Sequence, residues 1–268
     1  MKITVFYNHI EEAMAATGRS LKEIATDLKN VGITGVEMDY RDLCKDFSIA
    51  GKLYEEGLSI NSCYMFFDWG KKPFFDPVKA KCLVDLKALH VENLLVVPGF
   101  ITDEKKFKKE RKRMLRQLKN LSFLAKSMGI KLFMEDFDDE TSPIKSIEGL
   151  KWFLDRAPYV KCAFDTGNFM PHGEDELAAY KVFKDNIGYV HLKDRSLNKK
   201  EGETPKMSIE GKALYSSAVG SGDVKMKEIC EALKKKAYDK TVAIEHFGSK
   251  TMYEDMISSA KWIRKNLL

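Results

Sequence analysis

The sequence predicts a single-domain α/β protein, a (β/α)8 or TIM barrel spanning residues 1–268. Three observations lead there. Short apolar runs alternate with longer amphipathic ones from end to end, the pattern of βα units around a parallel sheet. Eight such pairs can be counted, and 268 residues is an ordinary length for that barrel. Four of the apolar runs each end on one acidic or imidazole side chain: Glu135, Asp165, His191 and Glu245. A carboxylate at the mouth of a buried strand is costly unless a cation compensates it.

The elements follow in order. Lys2–Tyr7 reads as the first strand. Ser20 caps the next helix, and Glu23 completes a capping box. Leu21, Ile24, Ala25, Leu28 and Val31 share its apolar face, and Gly32 stops it. Gly35–Met38 is the second strand, ending near Asp39. A helix through Leu43–Glu56 leads to the third strand, Leu58–Tyr64. The helix Pro77–His90 precedes the fourth strand, Asn93–Val97. Asp103–Met128 is a long helix with a densely basic first half, and the fifth strand is Lys131–Glu135. A helix from Ser146 to Arg156 leads to the sixth strand, Val160–Phe164, which closes on Asp165. Glu174–Asn186 is helical and Gly188–Leu192 is the seventh strand. Asn198–Ser221 breaks the rhythm: it is polar and glycine-rich and reads as an extended loop, long enough to be a lid or a substrate-binding loop. Val224–Lys236 is a helix, Thr241–Glu245 the eighth strand, and Tyr253–Leu268 the closing helix.

Composition narrows the partners. With 44% hydrophobic residues the chain can bury a sizeable core. The formal charge of +5 comes from 45 basic and 40 acidic side chains, a mild excess that gives little support for a nucleic-acid or membrane partner. The basic stretch Lys105–Arg116 reads first as the solvated face of an outer helix. Five scattered cysteines without a CxxC pair read as reduced thiols. With no signal-peptide core and no bilayer-length apolar run, the expected location is cytoplasmic. No glycine-rich nucleotide loop is present.

The residues at the strand ends carry the chemistry. In a closed barrel, strands five to eight are neighbours around one half of the rim, so Glu135, Asp165, His191 and Glu245 can converge on one cation although they are far apart in sequence. Three carboxylates and an imidazole suit Mn²⁺, Mg²⁺ or Co²⁺, with Zn²⁺ possible, and are too oxygen-rich for a structural zinc site. The alternative for each acid is a strand-capping role or an ion pair with a nearby lysine. A divalent cation bridging a carbonyl and its neighbouring hydroxyl would stabilise an enediolate, and two carboxylates on opposite faces of the substrate would supply base and acid. Epimerisation, aldose–ketose isomerisation and dehydration all remain open to such a site. Candidate substrate contacts are Asn168, Lys193, Arg195, Glu37, Tyr64 and His9. Lys193 shares the strand face of His191, and Arg195 suits a hydroxyl, carboxylate or phosphate. Glu37 either reaches substrate or supports the site. His246 is expected to point away from the mouth, and Tyr64, Phe66, Phe67, Trp69, Phe74 and Phe75 offer an aromatic wall or loop packing.

The stretches FMEDF (133–137), AFDTGNF (163–169), YVHLKDR (189–195), VGSGDV (219–224) and AIEHF (243–247) resemble the sugar-phosphate isomerase/epimerase superfamily, the xylose-isomerase-like TIM barrels, in its D-tagatose 3-epimerase and inositol-catabolism isomerase branch. The resemblance covers essentially the whole chain in strand order. It implies one divalent metal (Mn, Mg, Co or Zn) held by Glu135, Asp165, His191 and Glu245, with Glu135 and Glu245 as the catalytic proton-transfer pair. It implies an isomerase or epimerase of a small sugar, keto-sugar or cyclitol, often a homodimer or homotetramer. One departure is visible. Many relatives place a histidine three residues after the aspartate ligand, where this chain has Asn168; His172 is the nearest substitute. The competing readings are a keto-inositol-type dehydratase, an endonuclease-IV-like nuclease and a sugar-binding barrel without catalysis. The nuclease reading requires a histidine-rich cluster that five histidines hardly supply.

Overall fold

The computed structural model describes residues 1–71 and 77–268. Eight parallel strands close into a barrel: β1 (Lys2–Phe6), β2 (Ile33–Asp39), β3 (Ser59–Phe66), β4 (Asn93–Val97), β5 (Lys131–Met134), β6 (Val160–Asp165), β7 (Ile187–Ser196) and, after a short insertion, β10 (Thr241–Glu245). Each pairs with the next, and β10 closes the ring by pairing with both β7 and β1. The insertion is a small antiparallel extension: β8 (Lys206–Met207) pairs with β9 (Ala213–Ser217), which pairs with the far end of β7.

Around the barrel lie α1 (Tyr7–Thr17), α2 (Leu21–Asn30), α3 (Tyr40–Lys45), α4 (Ser48–Glu55), α5 (Pro77–Ala88), α6 (Phe107–Met128), α7 (Ile147–Leu154), α8 (Glu176–Phe183), α9 (Met226–Lys235) and α10 (Met252–Asn266). The capping box forms as its spacing predicts: Ser20 Oγ accepts from Glu23 N–H, and Glu23 Oε2 accepts from Ser20 N–H at 2.9 Å. The main core lies between strands and helices. The barrel interior holds a smaller cluster of Phe6, Leu95, Phe133, Ala163, Tyr189 and Ala243.

Three features differ from the sequence reading. First, α1 begins directly on the end of β1, with no side-chain cap to announce it. Second, the helix expected over residues 43–56 is two: Asp46 leaves the helical conformation and accepts from Ser48 N–H, ending one turn and starting another. Third, β7 does not end near Leu192. It continues through Lys193-Asp194-Arg195-Ser196 because β9 lies against it, so the segment 198–221 is partly a hairpin and only partly a loop. No helix among the described residues is long and apolar enough to cross a membrane.

Candidate metal centre and its cavity

The carboxyl ends of the strands surround a cavity of about 500 Å³. Its base is polar. Glu135 follows β5, Asp165 ends β6, His191 sits mid-way along β7 at the level of Asp165, and Glu245 ends β10 level with Lys193. All four are buried, and one ligand atom from each lies within 4.8 Å of the others. His191 Nδ1 is 2.7 Å from Glu135 Oε2 and 3.1 Å from Glu245 Oε2.

The local sequence explains how one oxygen of Asp165 stays available. Asp165 Oδ1 accepts from the backbone N–H groups of Gly167 (2.7 Å) and Asn168 (2.8 Å), which pins the turn and leaves Oδ2 without a hydrogen bond. Gly167 is required here because a Cβ would sit 2.7 Å from the Lys193 carbonyl oxygen. Glu135 Oε2, His191 Nδ1 and Glu245 Oε2 likewise make no well-aligned hydrogen bond. Buried polar atoms are nearly always satisfied, so four converging atoms without a well-aligned hydrogen bond fit the ligand set of a cation. The mixed oxygen and nitrogen set fits a divalent ion.

The electrostatics agree. Burial pushes Asp165 well above the usual carboxylate range, against the pull of Lys193, and it raises Glu135 against His191. Burial alone would lower His191, yet Glu135 and Glu37 hold its imidazole well above its ordinary value. Burial alone would raise Glu245, yet the Lys193 ammonium and His191 keep it well below. This is the field of a pocket that wants positive charge.

The supporting residues divide in two. Lys193 enters the cavity: Nζ is 2.6 Å from Glu245 Oε1, donates to Asn168 Oδ1 at 2.8 Å and lies 3.8 Å from Asp165 Oδ2. Asn168 also lines the cavity, and its Nδ2 donates to the Asp136 carbonyl. Arg195 is buried, reaching Gly167 O with Nε and Asp138 Oδ2 at 2.7 Å. Tyr64 is half-buried and faces the cavity with Phe6, Phe66 and Phe137.

Glu37 and His9 lie elsewhere. Glu37 is fully buried behind His191, with Oε2 3.2 Å from His191 Nε2, so it supports the site and does not line the cavity. His9, read from the sequence as a rim residue open to substrate, is fully buried on α1. Its Nε2 accepts from His246 N–H at 2.9 Å, and its ring packs on Phe6 and Phe247. The reason is helical phase: the chain turns into α1 at Tyr7, which swings His9 inward. His172 sits on a short turn outside the cavity lining. The aromatic set splits as well. Tyr64 and Phe66 line the cavity, Phe67 and Trp69 stack in the core at 4.3 Å, and Phe74 and Phe75 lie outside the described residues. The lysines of 105–112 are exposed on the outside of α6 and the turn before it.

The structure adds residues that the sequence did not single out. Asp136 is fully buried with both carboxyl oxygens unpartnered; burial, with Asp165 and Glu135 beside it, pushes its carboxyl well above the ordinary range. Asp194 accepts four backbone N–H bonds, from Arg195, Gly220, Gly222 and Val224, and so ties the VGSGDV stretch to β7. Arg41 forks onto Asp39 at the rim, and Thr204, Pro205 and Lys206 of the insertion close one side. The doubled acid in FMEDF was the only sequence signal for Asp136.

With the ring and its ligand cluster in place, the family can be assigned. The sequence profile of xylose isomerase-like TIM barrels matches residues 79–266. The chain belongs to that family. Solved structures agree on the fold. The D-psicose 3-epimerase of Clostridium cellulolyticum H10, solved with D-tagatose, superposes with a TM-score of 0.73 at 14% identity, covering 100% of this chain and 99% of that one. The IOLI protein, solved with a zinc atom, gives 0.72 at 17% identity, covering 100% and 98%. The probable 3-DHS dehydratase AsbF of Bacillus anthracis gives 0.70 at 13% identity, covering 99% of each. No curated protein matches the chain in sequence. These structures share this chain's architecture at identities that speak for the fold alone.

Proposed function

We propose that the protein is a divalent-metal-dependent isomerase or epimerase of a small sugar, keto-sugar or cyclitol, acting by proton transfer at the carbon next to a carbonyl. The observation that carries this is the buried cluster of Glu135, Asp165, His191 and Glu245, which offers one ligand atom from each residue within 4.8 Å of one another. When bound there, a divalent cation supplies Lewis-acid polarisation of the carbonyl and neutralises charge developing on its oxygen. Glu135 and Glu245 both face His191 Nδ1, at 2.7 and 3.1 Å, and can serve as the proton-accepting and proton-donating carboxylates. Burial raises the Glu135 carboxyl above its ordinary value, which favours its protonated form. Lys193 keeps Glu245 ionised and ready to accept one. Asn168 can hydrogen-bond a substrate hydroxyl but cannot shuttle protons as a histidine would. The aromatic wall of Phe6, Tyr64, Phe66 and Phe137 offers an apolar surface to the carbon face of a ring and excludes water from it. A D-psicose 3-epimerase and a zinc-bound protein among the structural neighbours support this reading.

A dehydratase is the second reading, and one observation favours it. The Lys193 ammonium is buried in the cavity, where it can donate a proton to a departing hydroxyl. Elemental analysis of the purified protein beside Glu245→Gln is the first test. One Mn, Mg, Co or Zn per chain, diminished in the variant, supports the metal site; failure to bind any of these ions after add-back overturns it. Incubation with a ketose panel in D₂O then separates the reactions. Deuterium at the carbon α to the carbonyl in recovered sugar marks isomerase or epimerase chemistry, and an unsaturated product marks the dehydratase.

A further inference from the structure

The opposite end of the barrel carries a second cavity. It measures about 670 Å³ and opens where the strands begin. That end of such barrels ordinarily serves stability. Here it is open and basic. Lys2 starts β1, Lys131 starts β5, Lys161 is second on β6, and Lys240 precedes β10. β1 and β5 are diametrically opposed in the ring, so the ammonium groups approach the opening from two sides. Two carboxylates face them. Glu92 is 3.0 Å from Lys131, and Asp239 lies on the rim beside Lys240. Lys240 Nζ is turned to the Ile187 carbonyl. Among the described residues, Lys2 and Lys161 have no carboxylate within ion-pair distance.

Below the lysines the floor is polar. Asn61 Nδ2 donates to the Tyr189 hydroxyl at 3.2 Å and faces Thr241 Oγ1 at 3.4 Å, and the Tyr189 hydroxyl lies 3.4 Å from Thr4 Oγ1. Gly188 lets the wall pack closely: a Cβ there would meet the Phe133 ring at 2.6 Å and Lys161 Cβ at 3.0 Å. A concave site with four ammonium groups against two carboxylates and hydrogen-bonding groups at its floor is suited to a negatively charged ligand.

We infer that this N-terminal cavity binds a small molecule carrying two or more anionic groups, phosphate or carboxylate, bridged between the Lys2/Lys240 and Lys131/Lys161 sides. The site is separate from the metal centre and does not depend on the reaction proposed for it.

Calorimetric titration of the full chain without added metal tests this with propane-1,3-diphosphonate and glutarate, and with methanesulfonate as a single-anion control. The expected result is one saturable site per chain, with at least one dianion bound about tenfold or more tighter than methanesulfonate. Whichever of diphosphonate and glutarate binds tighter identifies phosphate or carboxylate as the source. Lys2→Gln combined with Lys161→Gln should weaken binding by about tenfold or more. Lys108→Gln with Lys109→Gln, on the basic outer face of α6, and Lys206→Gln, at the other cavity, should leave it unchanged. Absence of saturation, affinity no better than the single anion, or equal loss in either control variant would overturn the proposal.

Discussion

Glu37 Oε2 lies 3.2 Å from His191 Nε2, and the other ring nitrogen faces Glu135 and Glu245. This is the arrangement of a carboxylate that fixes an imidazole's tautomer and orientation so that Nδ1 is left for a metal. Glu37→Gln should lower metal affinity by about tenfold, and Glu37→Ala by up to about a hundredfold. Metal titration by competition with a chromophoric chelator reads this directly. Unchanged affinity in both variants would show that Glu37 only fills space.

Lys193 sits 2.6 Å from Glu245 Oε1 and 3.8 Å from Asp165 Oδ2. Its ammonium both competes with a cation for the carboxylates and holds Glu245 ionised. Lys193→Met therefore has opposed consequences. At pH 8 metal affinity should rise, because the competing ammonium is gone. Because Glu245 loses the charge that depresses its carboxyl, the loss of metal on acidification should begin at higher pH. Turnover should fall by about a hundredfold or more if the ammonium takes part in proton transfer. Parallel loss of metal and activity at pH 8 would instead mark Lys193 as structural support for the ligands.

His9 is buried and neutral, and burial followed by the nearby His246 holds its imidazole well below the ordinary value. The sign of the pH effect follows. Unfolded, the ring takes a proton near pH 6.5; folded, it does not until the pH is much lower. The unfolded chain thus binds more protons below about pH 6.5, and stability falls as pH drops through that value, with a slope approaching about 1.4 kcal/mol per pH unit from this group. His9→Gln, which retains an acceptor for the His246 N–H, should lose that share of the slope. Urea midpoints of both proteins between pH 7.5 and 5 measure the difference, and parallel curves would assign the acid sensitivity to other groups.

The sequence already carries the barrel and the four residues that cluster at its mouth, because both rest on local pattern: apolar strands, capped helices and one polar residue at each strand end. His9 was not legible in the same way. Whether it faces the mouth depends on where β1 becomes α1, and no capping residue marks that junction. The polar run Lys193–Ser196 reads as a turn on composition alone. It is strand because β9 pairs with it, a partner about twenty residues away, and its side chains are buried by long-range contacts. Glu37 was legible as a buried acid, but its choice of His191 over substrate needed the third dimension. Asp136 and Asp194 escaped because a buried acid surrounded by backbone N–H groups, or by nothing, looks like any surface acid in a sequence.

Asp194 offers a test of that last point. Its carboxylate accepts from Arg195, Gly220, Gly222 and Val224, with the glycine contacts at 2.8 and 3.0 Å. Gly222 has no room for a side chain, since a Cβ would lie 2.3 Å from Asp194 Oδ1. Asp194→Ala removes the acceptor from four N–H groups at once, and water can replace only those that stay near the surface. The expected cost is about 2–4 kcal/mol of stability, read from urea denaturation. Hydrogen exchange should show that the loss begins locally, with the amides of residues 219–224 losing protection before those of β7. Arg195, whose backbone N–H also leans on Asp194, holds Asp138 at the cavity wall. Loosening the clamp should therefore raise KM more than it lowers kcat. A variant with native stability and unchanged protection at 219–224 would show that the four hydrogen bonds are not what fixes the loop.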